Sequence, residues 1–159
     1  MCYHTLCNNA NGGKTLMAEK KTVFLTGASG HMGWAGFKEL YSKKDKLNIV
    51  LLLRDSEKNR KKFANYLNDP SVKIVWGDLK KYDDVLKCVE GSDYVLHVGG
   101  MVSPSADYYP TRTIQTNTTA AKNIVDAVKA QPNKDEIKVV YIGTVAETGD
   151  RNAPIHWAR

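Results

Sequence analysis

The 159-residue chain lacks any apolar run near the roughly 18 residues that a membrane-spanning helix requires. It also lacks the apolar h-region of a secretory signal. The opening stretch instead holds the polar run Asn8-Asn9-Ala10-Asn11-Gly12-Gly13. Cysteine is scarce: Cys2, Cys7 and Cys88 show no paired spacing, which suits a reducing compartment better than a disulfide framework. Cys2, His4 and Cys7 could be drawn as metal ligands, but nothing elsewhere supplies a matching pair, so no metal site is expected. The P-loop is missing too. Gly13-Lys14-Thr15 would need a glycine five residues before Gly13, and Asn8 stands there. These absences together predict a cytoplasmic protein with no membrane partner.

Positive charge is not lacking, and the net charge is +6. The basic runs are Lys43-Lys44-Asp45-Lys46, Lys58-Asn59-Arg60-Lys61-Lys62 and Lys80-Lys81. They read as solvated helix ends and loops. A nucleic-acid surface would need interleaved aromatics or a recognisable motif, and neither is present, so no nucleic-acid partner is expected.

Residues 1–20 read as a disordered leader, with Met17-Ala18-Glu19-Lys20 like an ordinary protein start ahead of the first strand. After it the pattern alternates. Short apolar runs at 22–26, 48–53, 72–76, 93–98 and 138–142 predict buried strands. Helical stretches at 32–43, 56–67, 82–89 and 111–130 separate them. Such alternation predicts βαβ units, a parallel sheet and right-handed crossovers. The fold class is therefore α/β, with one domain over residues 21–159.

Thr26-Gly27-Ala28-Ser29-Gly30-His31-Met32-Gly33 lies between the first strand and the first helix. A glycine triplet in that context is a dinucleotide loop. Gly27 permits the tight turn off the strand. Gly30 lets a pyrophosphate approach the backbone, and Gly33 lets the helix lie close to the sheet. The amides of His31 and Met32 would point at the phosphates, aided by the helix dipole. Thr26 and Ser29 belong to the same loop.

This Gly-x-x-Gly-x-x-Gly spacing resembles that of the extended short-chain dehydrogenase/reductase family, in its epimerase, dehydratase and reductase branch. The resemblance covers residues 21–150 and implies a Rossmann-type doubly wound sheet of about five strands here. His31 departs from the aromatic or aliphatic residue more usual in that family.

Arg54 follows the second strand, 21 residues after Gly33. An NAD-preferring site usually has an acidic side chain there, for the ribose hydroxyls. Arginine suits a 2′-phosphate, held by a bidentate charge-assisted grip, so NADP is the expected preference. Ser56 and Lys58 are near enough to assist, and the neighbouring Asp55 leaves NAD open. The resemblance further implies that Asp78 and Leu79 contact adenine; the plainer reading of Asp78 is a helix N-cap. Val98, Gly99 and Gly100 would leave room for the cofactor ribose. Ile142, at the end of the fifth strand, is assigned to the same surface.

On the long helix, Ile114, Ala121, Ile124, Val125 and Val128 are expected to form one apolar face that also holds Asn117. Asn117 reads equally as a structural tie or as the family's asparagine in a proton relay. Thr144, with Gly149 five residues on, fits the family's substrate-binding serine or threonine; Thr148 replaces the usual tyrosine. The family's proton donor is a tyrosine with a lysine four residues later. Four residues beyond Tyr3, Tyr41, Tyr66, Tyr82, Tyr94, Tyr108, Tyr109 and Tyr141 stand Cys7, Asp45, Pro70, Leu86, Val98, Arg112, Thr113 and Val145, none of them lysine. The expectation is an incomplete enzyme: C-terminal strands and substrate-binding part absent, little activity alone, and an exposed fifth strand inviting homo-oligomers. The implied reaction is hydride transfer to or from a small carbonyl, alcohol or nucleotide-sugar-like substrate. A non-catalytic NADP-sensing module is the alternative.

Overall fold

A computed structural model describes residues 19–143. Thr144, Thr148 and Gly149 lie outside the described residues, as do Cys2, His4, Cys7 and all of the expected leader except Glu19 and Lys20.

Five parallel strands form one sheet in the order β3-β2-β1-β4-β5. They are β1 Lys21–Thr26, β2 Leu47–Leu53, β3 Val72–Trp76, β4 Tyr94–His97 and β5 Lys138–Tyr141. β1 pairs with β2 on one side, Thr26 opposite Leu52, and with β4 on the other, Thr26 opposite His97. The chain runs outward from β1 to β3, then returns to the far side of β1 for β4. That reversal is the topological switch point, where a crevice opens beyond the carboxyl ends of the strands.

The helices are α1 His31–Tyr41, α2 Glu57–Phe63, α3 Tyr82–Val89, α4 Ser105–Tyr108 and α5 Pro110–Lys129. Strand side chains alternate between two cores, as the two-residue period requires. Ile49, Leu51 and Leu53 of β2 join Leu25, Phe37 and Phe63 under α1 and α2. Val50 and Leu52 join Phe24, Val85, Val89, Val95, Ile124 and Ala127 under α3 and α5. Coverage on both faces explains why β1 and β2 read as nearly continuous apolar runs, whereas the β5 side chains are exposed. The first core is capped by an aromatic cluster, in which Phe37 meets Tyr66 edge to face at 4.8 Å and Trp34 meets Phe63 at 5.4 Å.

Two expectations are corrected, and one element was not expected. The helix expected over 56–67 is α2 followed by a separate 3-10 turn, Ala64–Tyr66. The apolar face of α5 is phased differently. Its buried residues are Ala120, Asn123, Ile124 and Ala127, whereas Ile114 and Val125 are exposed. The C-terminal half of α5 packs on α3 and the sheet, while Ile114 lies on the half that precedes this contact. Finally, the short α4 between β4 and α5 gave no periodic signal.

Cys88 is buried in the second core, and that burial pushes its thiol up to about 12, which rules out a thiolate nucleophile at neutral pH. Among the described residues no helix is long and apolar enough to cross a membrane, and no cluster of His, Cys, Asp or Glu could hold a metal ion.

Candidate functional site

The loop from Thr26 to Gly33 sits at the switch point, and its three glycines have different physical reasons. Gly27 has φ +73°, and a Cβ there would stand 2.7 Å from the Cα and N of Gly99. Gly33 is buried against the loop itself: a Cβ would come within 2.1 Å of the Gly27 carbonyl oxygen. Its closeness is to the loop backbone, rather than to the sheet as expected. Gly30 differs from both. Its φ of −77° suits any residue, and a Cβ would find only the Gly27 oxygen, at 3.4 Å. Folding does not demand glycine at position 30. Open space above the backbone does explain it.

Gly30 is the N-cap of α1, and no side chain caps the helix. The first turn carries no acidic residue either, so its orphan amides and the positive end of the dipole face the crevice uncompensated. Ser29, His31 and Met32 are exposed beside it. Lys62, which the sequence reading passed over, reaches in from α2. Its Nζ donates to the Ser29 carbonyl at 2.9 Å and lies 4.3 Å from the Trp34 ring centre. Burial, and then the nearby Lys58, hold its pKa below the usual lysine range.

Thr26 is fully buried, so its side chain cannot reach a ligand, contrary to its place among the expected contacts. Its Oγ1 lies 3.2 Å from the Val98 amide nitrogen, 3.0 Å from that of Gly99 and 2.7 Å from His97 Nδ1. A hydroxyl has two acceptor positions and one proton. Both amides take acceptor positions, so the proton goes to Nδ1, and His97 is the neutral Nε2–H tautomer. Burial likewise holds the His97 pKa below its ordinary value. The sequence carried a signal for this residue: a polar side chain two places after Val95 falls on a core face and must find a partner.

Val98 and Gly99 are thereby fixed against the glycine loop. A Cβ at Gly99 would stand 3.1 Å from Leu79 Cδ1, which brings the Leu79 side chain to the same wall. Asn123 on α5 holds Leu79 in place by donating to its carbonyl at 2.8 Å. Asp78 is not an N-cap, since that position belongs to Lys81. Its Oδ1 instead accepts the Lys80 amide at 2.9 Å and closes a turn. Asn117 clamps the segment after β4: its Oδ1 accepts the Met101 amide at 2.8 Å and its Nδ2 donates to the Met101 carbonyl at 3.0 Å. These bonds tie α5 to the segment beside Gly100. Ile142 is exposed, with its amide donating to the His97 carbonyl at 3.2 Å.

Beyond β2 and β3 a cleft of about 480 Å³ is lined by Arg54, Asp55, Trp76, Gly77, Asp78, Lys81 and Asp84. The glycine loop, Arg54, Asp78–Leu79 and Val98–Gly100 thus surround the carboxyl ends of four adjacent strands. Such an arrangement defines a dinucleotide-type Rossmann site.

Comparison with known proteins agrees. The sequence model of the NAD dependent epimerase/dehydratase family matches residues 23–157, and the chain belongs to that family. The UDP-glucose 4-epimerase of Rickettsia bellii is 32% identical over 128 residues, covering 78% of this chain and 36% of the relative. The chain therefore spans about a third of the length of that curated relative. Among solved structures, the Bordetella bronchiseptica enzyme WbmH in complex with NAD+ superposes with a TM-score of 0.66 at 20% identity, over 89% of this chain and 46% of that one. Pen from Bacillus thuringiensis gives 0.63 at 23% identity, over 73% and 36%. These two likenesses support the fold.

Proposed function

We propose that this chain is the cofactor-binding part of an NADP-preferring oxidoreductase, epimerase or dehydratase, with residues 21–159 as its dinucleotide-binding domain. The observation that carries the reading is Gly30: an uncapped helix start beside a glycine for which packing gives no reason. The space it leaves, with the amides of His31 and Met32 around it, fits a pyrophosphate. The adenosine half would enter the cleft between Arg54 and Asp78, with Leu79 as an apolar wall. Gly99 and Gly100 leave room for the second ribose.

Once bound, the nicotinamide supplies hydride transfer; the side chains of this chain bind, orient and exclude water. Arg54 would meet a 2′-phosphate, which favours NADP, while NAD remains the weaker ligand. Asn117 holds the segment at Gly100 and Met101 in place. Thr144 would hydrogen-bond the oxygen of a small carbonyl, alcohol or nucleotide-sugar-like substrate. None of the eight tyrosines has a lysine four residues on. We therefore assign proton transfer to no residue of this chain and expect negligible turnover from it. That same observation favours the second reading, a non-catalytic NADP-sensing module. The cysteine pattern supports a cytoplasmic setting.

Fluorescence titration of the chain with NADPH tests binding. NADPH oxidation with a panel of carbonyl compounds, using the chain and any longer product of its gene, separates the two readings. Saturable binding supports the proposal. Turnover by a longer product favours the enzyme, and binding without turnover favours the sensor.

A further inference from the structure

Asp55 stands next to Arg54 and lines the same cleft. A carboxylate in that place can accept hydrogen bonds from ribose hydroxyls, the interaction that selects NAD. Here each of its oxygens already accepts a hydrogen bond from one cation, which neutralises the carboxylate and fixes its orientation. Arg60 Nε donates to Oδ1 at 2.6 Å and Arg60 Nη2 to Oδ2 at 2.7 Å, a planar two-point fork. The guanidinium also lies 5.0 Å from the ring centre of Trp76, which is itself a wall of the cleft. Local backbone contacts fix this geometry. Ser56 Oγ accepts the Asn59 amide at 3.2 Å as the N-cap of α2, and Asn59 Nδ2 donates to the Arg54 carbonyl at 2.7 Å. The first turn of α2 thereby brings Arg60 back over Asp55. Among the described residues the Arg54 side chain makes no hydrogen bond or ion pair, so it stays available to a ligand.

We propose that Arg60 is a specificity-determining residue: by holding Asp55 in this fork, seated on Trp76, it withholds the carboxylate from the adenosine ribose and leaves Arg54 to a 2′-phosphate. This rests on the reading of the cleft as the adenosine site. Without Arg60, Asp55 either pairs with Arg54 or bonds the ribose hydroxyls, and both outcomes favour NAD. The pair is exposed on both sides, and exposed ion pairs contribute little to folding. The fold should therefore tolerate its removal.

Calorimetric titration of the chain with NADP+ and with NAD+ gives the affinity ratio for the parent, Arg60→Gln, Asp55→Asn and the double variant. Arg60→Gln should lower the NADP:NAD ratio about fivefold, the scale of a lost exposed ion pair. Asp55→Asn alone should keep the parent ratio or raise it, and the double variant should return to within about twofold of the parent. An unchanged ratio in Arg60→Gln overturns the proposal. So does a drop that the double variant does not restore, because Arg60 would then be touching the phosphate itself. A parent chain that binds neither dinucleotide, or both equally, overturns the underlying reading as well.

Discussion

The backbones of Gly27 and Gly99 touch, and a side-chain carbon on Gly27 would stand 2.7 Å from Gly99 Cα. This contact joins the loop after β1 to the loop after β4, one on each side of the switch point. Gly27 is doubly constrained, since its φ of +73° already disfavours any side chain. Gly33 completes the arrangement by resting on the Gly27 carbonyl.

Gly27→Ala and Gly33→Ala should each destabilise the fold by about 2–4 kcal/mol, from left-handed strain in the first and backbone overlap in both. Urea unfolding of each variant measures this. Losses under about 0.5 kcal/mol, the range of neutral surface changes, would contradict the packing described.

Arg54→Ala should remove most of the preference for NADP over NAD, lowering NADP affinity about tenfold or more, as loss of a charge-assisted bond implies. Binding constants for the two cofactors in parent and variant decide it. A variant that keeps the parent preference would place the 2′-phosphate elsewhere.

His97 should make stability fall as pH drops. Its folded pKa lies below the ordinary value, so below about 6.5 the unfolded chain binds a proton that the folded chain refuses. Stability attributable to His97 is complete above that pH and declines beneath it, by at most about 1.4 kcal/mol per pH unit. The Asp69 carboxyl acts in a lower window. Lys44, with the Ser71 amide and Tyr41, holds it well below the usual carboxylate range, so its stabilisation persists until pH falls under about 4. His97→Gln keeps an acceptor for Thr26 but cannot titrate at these pH values. Thermal unfolding between pH 7.5 and 5 should show a drop of a few degrees in the parent that His97→Gln largely lacks. Parallel curves for the two would remove His97 from this role.

The β5 edge should drive self-association. Val139 and Val140 point to opposite faces, yet they are 45% and 46% exposed, and Tyr141 and Ile142 are exposed as well. An apolar edge strand without proline invites pairing with another copy. Light scattering over a concentration series should show dimers or larger species, and Val140→Lys should shift them toward monomer. A parent chain that stays monomeric throughout would show that the edge is silent.

The central strands β1 and β2 were readable because both of their faces are covered, and β5 was readable from its β-branched apolar run although its side chains are exposed. The Gly27–Gly33 loop was readable for another reason: its spacing is fixed by backbone geometry. What escaped depends on contacts between distant segments. Lys62 lies in a basic run that looks solvated, and only the placement of α2 against Trp34 and Ser29 brings it to the loop. His97 and Asn123 are tied to residues 71 and 44 positions away. Asp55 and Arg60 are close in sequence, but no pattern shows which carboxylate an arginine will grip. The phase of α5 was misread from Ile114, whose seven-residue spacing aligns it with Ala121 and Val128 rather than with the buried Ala120, Asn123 and Ala127.

Gly30 offers the most direct measurement of all. A Cβ there meets only the Gly27 oxygen, at 3.4 Å, so Gly30→Val should stay folded, losing about 1 kcal/mol as a poorer N-cap residue. Its branched side chain should nonetheless fill the space assigned to the pyrophosphate. NADPH titration of the two proteins, both shown to be folded, should give saturable binding for the parent and none measurable for Gly30→Val. Equal binding by both would contradict the assignment of this loop to a dinucleotide phosphate.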